Sequence, residues 1–317
     1  MPSGVETPPP PVLSVVVCTY NRAHLLATAI DALLNQVQGT PPYEVIVVDN
    51  NSSDGTRDVV ERFGSGMVRY AFEGRQGLSV ARNHGVALAG ADLVAFTDDD
   101  VQVEAHWVQS IVQAFSEHAD VDMVGGKVEP VWEEAPPAWL REAGPAPLAL
   151  LDFGEDAFRV TPERPIALIG ANVAIRRRAF DRIGGFSPVV QRVCDSIGST
   201  EDYEFQMRLI GQGGGALYDP RIVVRAAVAP ERLKKQYHRA WHAGHGHFYA
   251  LMHEPTFERS RIGTFLGVPA HVYRSVVCEA AGWAASVLGR RSTAAFAHEL
   301  RLRFLIGFAA ERIFGRS

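Results

Sequence analysis

At 317 residues, 47% of them hydrophobic and 21% charged, the chain can bury one large core, or one domain carrying an appendage. Its formal net charge of -5 supplies no broad basic field, which excludes a nucleic-acid partner held by charge. The three cysteines, Cys18, Cys194 and Cys278, are odd in number and lack metal-ligand spacing, so a reduced, cytoplasmic setting is expected rather than a disulfide framework.

Residues 1–11 are Pro-rich and have neither a basic n-region nor an apolar h-region, and are expected to be a flexible tail rather than a signal peptide. Residues 13–18 form a β-branched run that reads as a buried strand, ended by Thr19-Tyr20-Asn21-Arg22. A helical pattern follows over 24–37, with Leu25, Leu26, Ile30, Leu33 and Leu34 on one face. A second strand over 43–48 ends in Asp49-Asn50-Asn51-Ser52-Ser53-Asp54-Gly55, and a helix starts near Thr56. Strand, helix, strand, helix with short polar joints argues for a parallel sheet with right-handed crossovers, which places both polar strand ends on one edge.

A third short strand is expected over 68–72, and Gly74-Arg75-Gln76-Gly77 then turns into a helix carrying Ser79, Ala81, Arg82 and Asn83. The apolar run 92–97 supplies a fourth strand and delivers Asp98, Asp99 and Asp100 to its C-terminal end, the edge at which open α/β sheets bind ligands. Two readings of these acids stay open. Three adjacent carboxylates repel one another unless a hard cation such as Mg²⁺ or Mn²⁺ neutralises them; alternatively, they form a solvated turn capping a helix that starts near Val103.

Beyond the acids, 106–118 reads as a helix and 121–131 as a strand. Residues 133–165 are rich in Pro, Ala and acids and read as an irregular excursion over the active edge. Residues 166–176 read as a strand containing Gly170-Ala171-Asn172, followed by a helix and the turn Gly184-Gly185-Phe186. Ser199 or Thr200 can cap a helix with an acidic first turn, Glu201-Asp202-Tyr203-Glu204, that runs to Gly211. From 232 to 317 the patterns are helical. Leu302, Leu305, Ile306, Ala309 and Ile313 form one stripe, flanked by Arg301, Arg303, Arg312 and Arg316. Such a basic amphipathic helix suits either an anionic membrane surface or packing on the main domain. The run 263–289 carries His271, Arg274 and Glu279 and is broken by Pro269, so it falls short of a spanning helix. No internal period points to a solenoid or propeller.

Taken together, Val15-Val16-Val17-Cys18-Thr19-Tyr20-Asn21-Arg22, then Val47-Val48-Asp49-Asn50-Asn51-Ser52-Ser53-Asp54-Gly55-Thr56, then Gly77 with Ala81-Arg82-Asn83 and Gly85, then Asp98-Asp99-Asp100 resemble the nucleotide half of an inverting family 2 glycosyltransferase. Gly170-Ala171-Asn172, Gly184-Gly185-Phe186 and Glu201-Asp202 resemble its acceptor half. The resemblance implies an α/β fold of the GT-A type: a Rossmann-like, mainly parallel sheet with helices on both faces. The catalytic domain would span 12–230, with a nucleotide half over 12–130 and an acceptor half over 131–230; beyond the resemblance, 231–317 reads as a helical region suited to membrane association or to packing on the main domain.

The same resemblance assigns roles. Thr19, Tyr20, Asn21 and Arg22 would hold the nucleoside of a nucleotide-sugar donor, a UDP-sugar by preference. Asp49 would accept a hydrogen bond from the imide of a uracil-like base, although the residue also suits a turn cap. Asn51 and Gly77 would belong to the donor site, and Arg82 would meet the donor or the acids, with a plain surface salt bridge as its alternative. Asp98 and Asp100 would form the Asp-x-Asp pair and, with Asp99, hold Mn²⁺ or Mg²⁺, Asp99 also reaching the donor. Asp202 would be the base that deprotonates the acceptor hydroxyl, with Glu201 the second candidate. The acceptor would be a glycan or a lipid-linked molecule, met at the inner face of the cell membrane.

The chain departs from the family's pattern in one place. The stretch 223–228 lacks the histidine that often completes the metal site, and His238, His242, His245 and His247 lie further on. His238 and His242 could bind a metal if helical, or stand as solvated histidines. Two other functions compete: a non-catalytic sugar-nucleotide-binding scaffold on the same fold, and a sugar-nucleotide nucleotidyltransferase, against which stands the absence of glycine from Thr19-Tyr20-Asn21-Arg22.

Overall fold

A computed structural model describes residues 9–64, 66–161, 164–193, 197–198, 200–259 and 263–315. Residues 1–8 of the tail expected over 1–11, the capping candidate Ser199, Cys194 and Arg316 lie outside the described residues. In chain order the elements are β1 (Leu13–Thr19), α1 (Ala23–Leu34), β2 (Tyr43–Asp49), α2 (Thr56–Glu61), β3 (Val68–Phe72), α3 (Leu78–Leu88), β4 (Leu93–Asp98), β5 (Val101–Val103), α4 (Trp107–Glu117), β6 (Val121–Trp132) and α5 (Leu140–Ala143). They continue with β7 (Phe158–Val160), β8 (Asn172–Arg176), α6 (Arg177–Ile183), α7 (Glu201–Gly211), β9 (Gly215–Val228), α8 (Lys235–Met252), α9 (Pro255–Glu258), β10 (Thr264–Phe265), β11 (Val268–Pro269), α10 (Ala270–Leu288) and α11 (Ser292–Phe314).

The chain forms two compact units. One comprises Met1–Glu129, Leu151–Phe186 and Phe205–Ala226; the other comprises Pro130–Leu150, Ser187–Glu204 and Ala227–Ser317. This partition sets 131–150 and 187–204, read from the sequence as part of the acceptor half, with the C-terminal helices.

The first unit is a mixed α/β sheet in the order β3-β2-β1-β4-β8-β6-β9-β5, with β7 on β9. Strands β1 to β4 pair in parallel, and β8 joins β4 antiparallel. The parallel strands are near-continuous apolar runs because both of their faces are covered; Val15, Val17, Ile46, Val48 and Phe96 are all buried. Helix α3 lies on β1 through Gly85, where a β-carbon would stand 2.3 Å from Val16 Cγ1. Phe96, Phe180, Phe186 and Phe205 form an aromatic cluster with ring centroids 4.8–6.4 Å apart.

Three sequence expectations change in this unit. Helix α1 ends at Leu34 rather than 37, because the Asn35 and Gln36 side-chain amides donate back to the carbonyls of Asp31 and Ala32. The strand expected over 166–176 is a strand only from Asn172. Before it, Gln206 takes the backbone that a neighbouring strand would have taken, accepting from Leu168 N–H at 2.9 Å and donating to the Ile166 carbonyl at 2.5 Å. Finally, Val101–Val103 pairs with β9 as a strand and the next helix begins at Trp107, so the acids 98–100 cap no helix.

In the second unit, α8, α10 and α11 bury Ala250, Val272, Leu305 and Phe308 around a shared core with Val268 of the short β10–β11 hairpin. Helices α8 and α11 meet at glycines: a β-carbon on Gly246 would stand 2.0 Å from the Phe304 carbonyl oxygen, and one on Gly307 2.2 Å from that of Ala243. Leu140 and Leu148 pack with Val228 and Leu233, and Trp139 meets Phe296 edge-on at 5.1 Å.

The stripe expected on α11 is largely its packed face: Leu305 is buried and Ala309 and Ile313 pack against the same core, beside Phe296, Leu300 and Phe308, while Ile306 is exposed. Its arginines are paired: Arg301 with Glu279 at 2.8 Å, Arg303 with Glu299 at 3.0 Å, and Arg312 with Glu258. His238 and His242 are not arranged as a metal pair, since a ring nitrogen of each is engaged by a backbone carbonyl, and the side chain of His247 on the same helix is 43% exposed. His238 is fully buried and donates from Nε2 to the Arg232 carbonyl at 3.0 Å, while His242 Nδ1 bonds the His238 carbonyl at 2.8 Å. Among the described residues, no helix is long and apolar enough to cross a membrane.

Candidate donor site and candidate base

The loops leaving β1 and β2 are stitched together at the C-terminal edge of the sheet. Asn21, in the left-handed region at φ 52°, donates its backbone N–H to Ser52 Oγ at 2.9 Å and accepts the Ser53 N–H on Oδ1 at 2.8 Å. Asp54 Oδ2 accepts the Ala23 N–H at the start of α1 at 3.0 Å, a side chain from one loop satisfying the helix end of the other. Thr19 is buried and its carbonyl accepts the Asn50 N–H at 2.9 Å, while Tyr20 is half-buried beside it.

Asp49, at the end of β2, is buried. Its Oδ1 accepts the Ser52 N–H at 2.8 Å and its Oδ2 the Tyr70 hydroxyl at 2.8 Å. Burial and the bond to Asp49 push the Tyr70 hydroxyl up to about 12, so it stays a donor and fixes the carboxylate. The cap-like role therefore exists, with a second lone pair on each oxygen left for a ligand. Asn51 is exposed, in the left-handed region at φ 66°.

Its neighbour Asn50, which the sequence reading did not single out, is the organising residue. Asn50 Nδ2 donates to the Arg75 carbonyl at 2.7 Å and to the Glu73 carbonyl at 3.3 Å, and Oδ1 accepts the Gly77 N–H at 2.9 Å. Buried as it is, it clamps the 73–77 loop onto the end of β2. Gly77 sits at φ 142°, which a side chain would strain, and turns that loop into α3. A buried amide at a strand end can satisfy several loop backbone groups at once, but which of the adjacent asparagines is buried is set by the fold and carries no local signal.

At the end of β4, Arg22 reaches across from the first loop. Its Nη1 lies 3.1 Å from Asp99 Oδ1 and 3.0 Å from Asp100 Oδ2. Burial works against the Arg22 cation, but Asp99 and Asp100 outweigh it and raise its pKa above the ordinary arginine value. Burial pushes the Asp99 carboxyl up to about 6 despite the pull of Arg22, and Asp100 adds to the rise. Asp99 is the enclosed member, with a side chain 5% exposed, whereas those of Asp98 and Asp100 are 33% and 25% exposed. Arg82, on α3, is 4% exposed, with Nη2 3.8 Å from Asp98 Oδ1 and its guanidinium over the rings of Phe186 and Phe96.

The structure thus brings together Arg22, Arg82, Asp98, Asp99 and Asp100, with Thr19, Asn21, Asp49 and Gly77 on adjoining loops. No group of three or more His, Cys, Asp or Glu side chains among the described residues is already arranged around a metal ion. The donor set nonetheless fits a hard divalent cation, since the side chains of Asp98 and Asp100 are 33% and 25% exposed and offer hard oxygen ligands, although Arg22 already neutralises part of the charge on Asp99 and Asp100.

The glycine motifs also find a physical reason. A β-carbon on Gly170 would stand 2.5 Å from Arg82 Nη2, and one on Gly185 2.4 Å from Asn83 Oδ1. Asn83 in turn accepts the Phe186 N–H at 2.8 Å and donates to its carbonyl at 2.9 Å. Asn172 is a structural hub rather than an exposed contact, donating to the carbonyls of Lys127 and Ile222 and accepting from Trp107 Nε1 at 2.8 Å.

The two candidate bases lie in the other unit, at the start of α7. Glu201 is buried and Asp202 half-buried, the latter accepting the Tyr203 N–H at 2.8 Å. The Thr200 hydroxyl does not cap the helix; it is buried with no hydrogen-bond partner among the described residues, while the Thr200 carbonyl accepts the Glu204 N–H at 2.7 Å and the Thr200 N–H donates to the Val190 carbonyl at 3.2 Å.

A model of glycosyl transferase family 2 matches residues 14–184, a span that includes the acids at 98–100 and ends before Glu201 and Asp202. The chain is similar to a glucosyl-dolichyl phosphate glucuronosyltransferase of Haloferax volcanii, 29% identical over 206 residues, 64% of either chain. It is also similar to a validoxylamine A glucosyltransferase of Streptomyces hygroscopicus subsp. jinggangensis, 33% identical over 198 residues, 56% of this chain and 47% of that one. The chain therefore spans less than two thirds of the length of these curated relatives. Among solved structures, a mannosyltransferase from Pyrobaculum calidifontis in complex with GDP-Man and Mn²⁺ has a TM-score of 0.63 at 20% sequence identity, covering 98% of this chain and 89% of that one. At that identity the likeness speaks for a shared fold of the GT-A type.

Proposed function

The chain belongs to glycosyl transferase family 2, and from that premise we propose that it moves a sugar from a UDP-sugar to a hydroxyl of a lipid-linked or polysaccharide acceptor, with inversion at the anomeric carbon. The observation that carries this reading is the pairing of two arginines with three acids at the edge of a parallel sheet, Arg22 on Asp99 and Asp100 and Arg82 beside Asp98. A diphosphate needs positive charge, and a divalent metal needs carboxylate oxygens; this edge has both.

Asp98 and Asp100 would hold Mn²⁺ or Mg²⁺, and Asp99 would anchor Arg22 beside the donor. The bound cation supplies electrostatic stabilisation of the negative charge on the leaving diphosphate. Asp49 accepts from the base imide, Thr19, Tyr20, Asn21 and Asn51 line the nucleoside, and Arg82 meets the diphosphate. Asp202, the more accessible of the two acids at the start of α7, takes the proton of the acceptor hydroxyl as that oxygen attacks, and the enclosed Glu201 supports it. The lipid-linked class of acceptor draws support from the dolichyl phosphate in one relative's name. The GDP-Man in the solved neighbour makes guanine the rival base.

Calorimetric titration with UDP, GDP and dTDP, each with and without Mn²⁺, tests the reading. Metal-dependent binding of UDP is expected. Binding of GDP alone would transfer the proposal to a guanine donor, and no binding of any nucleotide with any metal would sink it.

A further inference from the structure

We infer that the outer face of α10, with the tip of the β10–β11 hairpin before it, is a docking surface for an anionic lipid bilayer. This deepens the proposed function, on whose lipid-linked acceptor it rests for its purpose. The surface lies within one compact unit. Val277, Ala281, Ala284 and Leu288 recur at helical spacing along one side of α10, all exposed, with Trp283 and Val287 beside them. Leu288 is 85% exposed, Val277 68% and Phe265 of the hairpin 67%. The hairpin tip is held at the head of α10, where the Tyr273 hydroxyl donates to the Phe265 carbonyl at 2.8 Å. Large apolar side chains standing in water along 19 residues of helix are unusual on a monomeric surface and mark an interaction site.

Charge identifies the occupant. Arg274 lies on the exposed side of α10, and Arg290 and Arg291 follow its C-terminus. All three are exposed, and none has a carboxylate partner among the described residues. The one acid of α10, Glu279, is turned inward and held by His298 at 2.6 Å and Arg301 at 2.8 Å. The face therefore presents apolar side chains and cations with no acid. A symmetric copy would set arginine against arginine whichever way the helices ran, whereas anionic headgroups complement them while the acyl boundary takes Val277, Leu288 and Phe265. The helix is too polar to span, so it lies in the interface. The arginines of α11, by contrast, are held in ion pairs with Glu279, Glu299 and Glu258.

Co-sedimentation of the full chain with vesicles of phosphatidylcholine alone, and of phosphatidylcholine with phosphatidylglycerol, decides the matter. Binding to the anionic vesicles at least about tenfold stronger than to the neutral ones is expected. Val277→Asp with Leu288→Asp should weaken it at least about tenfold, and Arg274→Glu with Arg290→Glu and Arg291→Glu should abolish the preference for anionic lipid. Both variants should bind UDP and Mn²⁺ like the parent chain, which separates failure of the docking face from failure of the donor reading. If the aspartate pair unfolds the chain, the arginine triple, which removes no apolar contact, decides alone. Absence of binding to either vesicle, unchanged binding by the variants, or a dimer that the aspartate pair converts to a monomer would each overturn the inference.

Discussion

Gly170 and Arg82 fix each other in place: the guanidinium occupies the space a side chain at 170 would need, with Nη2 2.5 Å from where the β-carbon would stand. Arg82 has nowhere else to go, since it is buried and packed over Phe96 and Phe186. Gly170→Ala is therefore expected to push the guanidinium away from Asp98, lowering stability by about 1 kcal/mol and nucleotide affinity by about tenfold, the worth of one charge-assisted contact. Calorimetry and thermal denaturation read the two effects separately. Weaker stability with unchanged affinity would show that Arg82 does not reach the donor.

Asn50 holds the 73–77 loop through three hydrogen bonds to its backbone. Asn50→Ala leaves the Gly77 N–H and the Arg75 carbonyl unsatisfied, and is expected to cost about 2 kcal/mol in denaturant unfolding and to speed amide exchange at Gly77. Asn51→Ala, at the exposed neighbouring position, should leave exchange at Gly77 unchanged. Equal effects at the two positions would mean that the loop is held by something other than the Asn50 amide.

Much of the fold was readable because the parallel strands are apolar on both faces and their ends are polar. The runs ending at Thr19, Asp49 and Asp98 announce themselves, and parallel pairing then puts those ends on one edge. Segments whose backbone is satisfied by a distant side chain were hidden. Nothing local in 166–171 says that Gln206 will bond it, and nothing at Asn50 distinguishes it from Asn51. The basic stripe of α11 left two outcomes open for a related reason. Period alone shows an amphipathic helix, but the partners that neutralise its arginines, Glu258, Glu279 and Glu299, are set by tertiary packing.

His238 predicts a pH dependence of stability. Burial, opposed by the bond to the Arg232 carbonyl, lowers its pKa from 6.5 to about 4. The unfolded imidazole takes up a proton near pH 6.5 and the folded one only near pH 4, so between those values the unfolded chain binds more protons. Stability is thus full above pH 6.5 and falls as the pH drops through the window, by up to about 3 kcal/mol at 1.36 kcal/mol per unit. His238→Gln keeps a donor toward Arg232 and removes the titration, so denaturant unfolding from pH 4 to 7 should show a flatter profile. An unaltered slope would assign the dependence to other groups.

Arg22 is the counter-charge of Asp99 and Asp100. Because its side chain is 38% exposed, solvent screens the pair, and Arg22→Gln should cost only about 1 kcal/mol, or about 2–4 °C in melting temperature. The gain on adding Mn²⁺ should be larger in the variant than in the parent chain, since the metal would then be the sole cation against the two acids. A thermal-shift comparison with and without Mn²⁺ measures this, and equal gains would show that the acids do not attract the metal.

Asp202→Asn separates chemistry from binding. The substitution keeps the size of the side chain and an oxygen able to accept the Tyr203 N–H, while removing the basicity a proton acceptor needs. Transfer is expected to fall by at least about 100-fold, the usual worth of a general base, with UDP affinity within a few fold of the parent chain, since the donor contacts come from the loops after β1, β2 and β4. Glu201→Gln, at a buried position, should instead lower stability along with rate. Rate and affinity lost together at Asp202 would make it a structural residue. Loss of transfer at Glu201 alone, with stability intact, would move the base one position back along the chain.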